Sequence, residues 1–367
     1  MKSYVGKQIT LFQFIAIISG SQVSVAVLSL PRRLAETAGT DGWISIIIGW
    51  AVSLIAGLSI VAVMKYYPEG TLFDLLSEYM GRWAGVLAAL LFVLYFFYLM
   101  YDGLVRTILV TKTWLLPNTM SSTLMLLMLI PAYSIVRHGI RNVARYAELV
   151  IWISLWIPFV YLFTLRHAHW LYLLPIFKDG WMPVLSAVKS TIYPMLGMVE
   201  IFVLYPHLKY KQYAAKGIVI ANSFTSLLYL FVTIICYVYF SPEESRFYND
   251  PVISVLKSIE FKFIERIEVT FIAFYLFIFS LIWIPTLYLV SYCISWIFKR
   301  ESSALPLHIL IILLVVGTYF YFPTYNVSTY MASQLTWVGL AMEYIFPICL
   351  LGYLWLSKLW RKERSSP

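Results

Sequence analysis

Several long stretches of this sequence are apolar and carry no charged residue. The clearest of them are residues 8–31, 42–64, 217–242 and 269–298. A run of about 18 or more such residues is long enough to cross the hydrocarbon core of a bilayer as a helix. Lipid offers the backbone no hydrogen-bond partners, so a spanning segment must satisfy its own N–H and C=O groups, as a helix does. The sequence therefore predicts an all-α integral membrane protein.

The overall composition agrees with a protein that resides in lipid. Only 12% of the 367 residues are charged and 61% are apolar, whereas soluble domains carry roughly 25% charged residues. Aromatic residues make up 18% of the chain, and tyrosine and tryptophan suit the two membrane–water interfaces. The net charge of +9 comes from short basic clusters between apolar runs. Such clusters are typical of topology signals and argue against a nucleic-acid partner.

The apolar runs divide into about ten predicted transmembrane helices, with both termini in the cytoplasm. An even number of spans returns the basic C-terminal tail to the side of Lys2 and Lys7. Most lysine and arginine residues then lie on that side, as the positive-inside rule expects. Two repeats of five helices are predicted, residues 1–170 and 171–367. The spans lie at about residues 10–31, 43–64, 83–112, 119–136 and 145–165 in the first repeat, and 184–206, 217–240, 267–298, 304–322 and 334–357 in the second.

No catalytic or metal-binding pattern stands out. Cys236, Cys293 and Cys349 all fall inside apolar runs and have no metal-ligand spacing. His167 and His169 lie close together, but no cysteine or carboxylate stands at ligand spacing beside them. We therefore expect no enzymatic activity, no metal and no cofactor.

The first helix of each predicted repeat contains a stretch that is easily interrupted. Residues 19–26 and 193–200 place small residues or proline in mid-span. Secondary transporters interrupt helices at equivalent positions of their two repeats, and the freed N–H and C=O groups can hold a zwitterion. The alternative is that small residues mark close helix packing. The candidate ligand-binding residues are Gly20, Ser21, Gln22, Ser24 and Ala26 in helix one, and Tyr193, Pro194, Gly197 and Glu200 in helix six.

Charged residues inside the spans are the second functional signal. Glu200 lies beside the second stretch, and an intramembrane carboxylate is by default a functional candidate, the alternative being a structural hydrogen bond. Asp102 and Arg106 are four residues apart and can pair locally. Glu343 is either a gate or an interfacial residue, and the sequence does not separate the two. Possible pocket-lining residues are Tyr98, Tyr101, Asp102, Phe279 and Trp283, for which core or lipid packing is the alternative.

Short motifs in a consistent order, spread over nearly the whole chain, resemble those of a known family. The family is that of spore germination proteins, the B subunits of bacterial germinant receptors. The motifs are residues 30–32 (Leu-Pro-Arg), 38–43, 139–145, 174–180, Glu200 with Pro206, 251–254 and 263–268.

The resemblance implies the five-plus-five inverted-repeat fold of the amino acid–polyamine–organocation transporter superfamily, with helices one and six interrupted. It implies residence in the inner membrane of the spore and recognition of a small nutrient such as an amino acid, a sugar or a nucleoside. It also implies a complex with an A subunit and with a C-subunit lipoprotein. One departure is that the family's Gly-x-Gly-like pair before Leu-Pro-Arg is replaced here by Ser24 and Ala26.

Three functions follow as hypotheses. The first is a membrane subunit of a germinant receptor, which binds a nutrient in a transporter-like pocket and signals to partner subunits. The second is an active permease for amino acids or organic cations, coupled to an ion gradient. The third is a structural membrane subunit without a ligand.

Overall fold

The protein is described by a computed structural model that covers residues 8–23, 25–258, 267–300 and 304–364. Its described part is almost entirely helical, and its β-structure there is one isolated parallel bridge between Ile9 and Leu208. The predicted all-α class is confirmed. In chain order the helices are α1 (Leu11–Val23), α2 (Leu30–Ala38), α3 (Gly42–Met64), α4 (Leu72–Met80), α5 (Arg82–Trp114), α6 (Ser121–Val136), α7 (Ile140–Ser154), α8 (Ile157–Tyr161), α9 (Trp181–Ile192), α10 (Ile201–Leu204), α11 (Ala214–Ser245), α12 (Pro251–Lys257), α13 (Ile267–Ile297), α14 (Ala304–Phe320), α15 (Tyr325–Gly339) and α16 (Phe346–Arg364).

Short irregular helical turns connect several of these helices. The 3₁₀ turns used below are Val25–Leu28, Tyr193–Met195, Met198–Glu200 and Tyr205–His207, and a π-helical turn spans Leu340–Ile345 between α15 and α16. Proline explains where α2 begins. Pro31 occupies the first turn of this helix, where a missing N–H costs nothing. α11 is kinked at Ser241, directly before Pro242.

Six helical segments of the described chain are long and apolar enough to cross a membrane. They are Leu30–Met64, Arg82–Trp114, Ile140–His167, Lys211–Ser245, Val269–Ile297 and Tyr325–Leu359. A seventh is the pair Trp181–Met195 and Met198–His207, which is bent by 47°. Three shorter apolar helices, α1, α6 and α14, lie within the predicted first, fourth and ninth spans. The protein is thus a multi-pass membrane protein, and its division into two repeats at residue 170 stays a prediction.

The core of the bundle forms around α13. This helix packs along α5 over much of its length, and also contacts α1 and α7. The opposite faces of the outer helices carry large exposed apolar side chains, such as Trp83, Leu87 and Leu94 on α5. Exposed apolar surface on this scale is incompatible with water. It supplies the lipid-facing belt that the uncharged runs predict.

Close packing of α3 against α9 depends on one small residue. Gly49 of α3 faces Thr191 of α9, and a Cβ atom at position 49 would lie 2.8 Å from the Thr191 Cβ. Helices in lipid lack a hydrophobic force between them, so they associate through such close backbone approaches. This contact holds the first half of the bent seventh segment against α3.

We expect Gly49→Ala to destabilise the protein, because the added methyl group overpacks the α3–α9 contact, which costs about 1–3 kcal/mol. Gly352→Ala is the matched control: it is also helical, but nothing lies within 4 Å of its Cβ position. Thermal unfolding of the purified protein in detergent measures both variants. Equal unfolding temperatures would contradict the close contact.

Candidate functional site

Two helix interruptions lie at the centre of the bundle. The first follows α1, which ends at Val23; the turn Val25–Leu28 then leads into α2. The second follows α9, where Leu196 is extended and Gly197 has φ +118°. Glycine adopts this left-handed conformation without the steric cost that other residues meet. The two interruptions overlap the two predicted stretches, although the first begins only after Val23 and extends past residue 26 to Leu28. Of the residues named there, Ser24 lies outside the described part of the chain.

The two interruptions touch each other. A Cβ atom on Gly197 would lie 2.8 Å from the Cβ of Ser21, so only glycine fits at this crossing. The Ser21 hydroxyl donates to Glu200 Oε1 at 2.8 Å, and the Gln22 amide donates to the carbonyl of Met195 at 3.2 Å. The structure thus brings four sequence-predicted residues, Ser21, Gln22, Gly197 and Glu200, into one buried junction.

A tyrosine that the sequence reasoning did not single out bridges the junction. The buried hydroxyl of Tyr229 on α11 lies 2.5 Å from the carbonyl oxygen of Gln22 and 3.2 Å from that of Pro194. It can therefore donate its single proton to either interrupted helix. Two turns earlier on α11, Asn222 accepts from the Gln22 amide at 3.4 Å and from the Ser53 hydroxyl at 3.0 Å. With 28 tyrosines in the chain, no local signal marked this one.

The predicted helix six corresponds to the bent pair Trp181–Met195 and Met198–His207. Glu343 caps the second half of this interrupted helix. Its carboxylate accepts from the backbone N–H groups of Gly197 (2.9 Å), Met198 (2.9 Å) and Val199 (3.4 Å). The hydroxyl of Tyr95 also donates to it, at 2.6 Å. These N–H groups carry the positive end of the half-helix dipole, which favours a carboxylate. Glu343 is fully buried within the π-helical turn, so its carboxylate faces the protein interior.

The Glu343 contact changes the expected mode of ligand binding. A zwitterion's carboxylate was expected on the free N–H groups of an interrupted helix. At helix six, those groups are already bonded to the protein's own carboxylate. A ligand carboxylate can reach them only after Glu343 has moved.

Two polar atoms of the junction are left without a partner in the described part of the chain. They are Oε2 of Glu200 and Oε1 of Gln22, both on fully buried side chains. A buried polar atom without a hydrogen bond costs free energy, so such atoms are rare in stable cores. Hydrogen bonds hold the junction together, but two of its buried polar atoms have no hydrogen-bond partner among the described residues.

The remaining predicted residues lie around the junction. Asp102 and Arg106 form no direct ion pair of the expected kind: Asp102 accepts from the Tyr193 hydroxyl at 2.5 Å, while the Arg106 guanidinium lies 4.5 Å from the ring centre of Tyr325. The tyrosine hydroxyl reaches the buried carboxylate across the helix contact, and the arginine finds an aromatic face instead. Ala26 is buried in the turn after α1.

The predicted aromatic lining residues make packing contacts. Tyr98 donates to the Met331 carbonyl at 3.2 Å, and Tyr101 stacks on Phe97. Phe279 stacks on Tyr275 with 5.6 Å between ring centres, and Trp283 is buried beside Gly103.

Comparison with known proteins decides the family. The family model described as "Spore germination protein" matches residues 8–327 of this chain. The chain belongs to the spore germination protein family. Among curated relatives, spore germination protein YndE of Bacillus subtilis (strain 168) is 28% identical over 305 residues, covering 80% of this chain and 82% of YndE. Spore germination protein GerQB of Bacillus cereus is 23% identical and covers 95% of both chains.

Solved transporter structures share the fold. MhsT in complex with L-phenylalanine superimposes with a TM-score of 0.65 at 11% identity, covering 94% of this chain and 98% of MhsT. Mhp1, a nucleobase-cation-symport-1 family transporter, superimposes with a TM-score of 0.62 at 12% identity, covering 92% and 76%. The transporter-like, inverted-repeat fold class is thereby confirmed for this spore germination protein.

An apolar cavity adjoins the first interruption of this family member. It has a volume of about 80 Å³ and reaches from Gly20, Val23 and Val27 to Val232 on α11. Its wall is almost entirely apolar. Ser154, Tyr161 and Tyr275 are among the lining residues, and the hydroxyl oxygens of the two tyrosines lie 3.0 Å apart.

We expect Glu343→Ala to destabilise the protein by at least about 2 kcal/mol, because three buried N–H groups lose their acceptor. Glu343→Gln keeps one acceptor oxygen and should lose less. Glu78→Ala removes an exposed glutamate and is the control. Chemical or thermal unfolding in detergent measures the series, and a Glu343→Ala variant as stable as Glu78→Ala would rule out the capping role.

Proposed function

We propose that this chain is the membrane subunit of a spore germinant receptor, which binds a small nutrient beside the interrupted helix one. The family membership and the transporter-like fold support this assignment. We expect the nutrient to be an amino acid. In this proposal the transporter-like fold senses the nutrient and does not carry it across the membrane. The expected partners are the A and C subunits, to which the nutrient-bound state would signal.

The observation that carries the proposal is the incompletely satisfied junction of the two interrupted helices. A few side-chain bonds join them, and two buried polar atoms stay unpaired. Unpaired buried atoms reduce the stability of this arrangement relative to one in which they have partners, as expected of a two-state element. A ligand that contacts one arrangement better than the other shifts the equilibrium between them.

The apolar cavity is the proposed place for the nutrient's side chain. Gly20, which lines the cavity, packs against Leu281 of α13 so closely that an added Cβ would lie 2.6 Å from it. Ser21 follows directly and holds Glu200 of helix six. A nutrient that displaces α1 at Gly20 would therefore disturb the Ser21–Glu200 bond. That is the proposed first step of signalling.

We expect Val232→Phe to weaken nutrient binding by at least about tenfold, because the larger side chain fills the cavity and overpacking costs about 1–3 kcal/mol. Val219→Phe makes the same substitution on an exposed face of α11 and is the control. Thermal-shift screening of the purified protein against amino acids, sugars and nucleosides identifies the nutrient, whose titration is then compared across variants. Ala26→Leu should weaken binding too, by crowding the interruption.

Two results would contradict the nutrient site. Unchanged binding by both Val232→Phe and Ala26→Leu would place the nutrient elsewhere. A protein that assembles normally but is stabilised by no compound in the panel would favour a purely structural subunit.

Orientation belongs to the same proposal, which places the chain in the spore inner membrane with both termini in the cytoplasm. We expect Glu243→Cys to react with an impermeant thiol reagent from outside and Gln212→Cys only after permeabilisation. Both positions are exposed. A Cys349→Ser background removes the one exposed native cysteine, since Cys236 and Cys293 are buried. Labelling of both positions from the same side would overturn the proposed topology.

A working permease is the second candidate, and Glu200 is the observation that favours it. Its unpaired oxygen lies beside both interruptions, where a coupling ion or proton would be held in a transporter. Uptake of the identified nutrient by proteoliposomes separates the candidates. Uptake that Glu200→Gln abolishes would establish a permease, and binding without uptake supports the receptor.

A further inference from the structure

A second, polar cavity lies apart from the nutrient site, at the ends of several spans. It has a volume of about 280 Å³. The predicted topology places it on the outer side. Its wall is dominated by arginines: Arg32 and Arg33 of α2 and Arg106 of α5. Glu36 and a set of neutral polar residues complete the lining; the neutral residues are Ser29, Asn249, Tyr325, Asn326 and Thr329.

The three guanidinium groups are satisfied to different degrees. Arg32 pairs with Glu36 at 2.7 Å, and Glu36 is the one carboxylate among the described residues that line the cavity. Arg33 lies 5.5 Å from the ring centre of Tyr193 and forms no ion pair within 4 Å in the described part of the chain. Arg106 is only 5% exposed, yet its Nη1 has no hydrogen-bond partner among the described residues. A buried guanidinium with an unused donor is costly unless something accepts from it.

The other nearby carboxylates are engaged by tyrosines. Asp102 accepts from the Tyr193 hydroxyl at 2.5 Å, and Asp250 from the Tyr325 hydroxyl at 3.3 Å. Neither aspartate lines the cavity. The negative charge of these two aspartates offsets the cost of burying Arg106. The cavity itself is lined by guanidinium groups. The wall therefore carries more positive than negative charge.

We propose that this cavity binds the carboxylate of a small, polar, singly charged solute. Arginine presents a planar fork that matches a carboxylate, and charge-assisted hydrogen bonds of this type are strong. Glu36 in the wall opposes a more highly charged anion. The neutral hydroxyl and amide groups offer partners to a polar substituent beside the carboxylate. Arg33 of the cavity wall packs over Tyr193, which belongs to the turn at the helix-six interruption.

L-Lactate is a suitable probe, and lactamide is its uncharged counterpart of the same shape. We expect lactate to raise the unfolding temperature of the purified full chain in a saturable manner at constant ionic strength, and lactamide to have no such effect. Arg106→Gln and Arg33→Gln should each weaken lactate binding by at least about tenfold. Arg166→Gln removes an exposed arginine away from the cavity and should bind lactate like the wild type.

Asn326→Asp keeps all three arginines and places a negative charge in the cavity wall. It should also weaken lactate binding, and together with Arg33→Gln it decides the question if Arg106→Gln does not fold. Equal stabilisation by lactate and lactamide would overturn the proposal. So would wild-type lactate binding by both Arg33→Gln and Asn326→Asp. Tighter, arginine-dependent binding of inorganic phosphate would overturn the assignment to a carboxylate.

Discussion

The centre of this protein depends on how three backbone N–H groups at the interrupted helix six are satisfied. Gly197, Met198 and Val199 are buried, so neither lipid nor water is a partner for these groups, and an unpaired buried donor costs several kcal/mol. The carboxylate of Glu343 accepts from all three, and Tyr95 completes its coordination. One side chain thereby joins α5, helix six and the last span. The buried charge is tolerated because it faces the positive end of a half-helix.

The same requirement shapes the contact between the two interruptions. Ser21 and Gln22 donate across to helix six, and Tyr229 reaches a carbonyl on each side. The pairing is incomplete, whereas a stable core leaves few buried polar atoms without a hydrogen bond. An apolar cavity adjoins the helix-one side, and an arginine-lined cavity adjoins Tyr193 on the helix-six side. In the two proposals, ligand occupancy of either cavity acts on the same junction.

Much of this architecture could be predicted because it rests on local composition. Uncharged runs locate the membrane segments, and small residues and proline locate both interruptions. Gly197 was a candidate for its small size, and its φ of +118° beside Ser21 supplies the physical reason. The Asp102–Arg106 pair was expected from a four-residue spacing, yet Asp102 bonds to Tyr193. Helical spacing predicts which residues can meet on one helix. It does not predict which hydrogen-bond partners a neighbouring helix brings into contact.

The sequence by itself determined that the chain is helical, lies in the membrane and is interrupted in two places, since these properties follow from charge, hydrophobicity and backbone freedom along short windows. Only the tertiary structure decided what fills the interruptions. Glu343 lies 146 residues from Gly197, and Tyr229 lies 207 residues from Gln22. In an interior with few polar groups, each unpaired backbone group takes whichever donor or acceptor the packing of distant helices brings within reach.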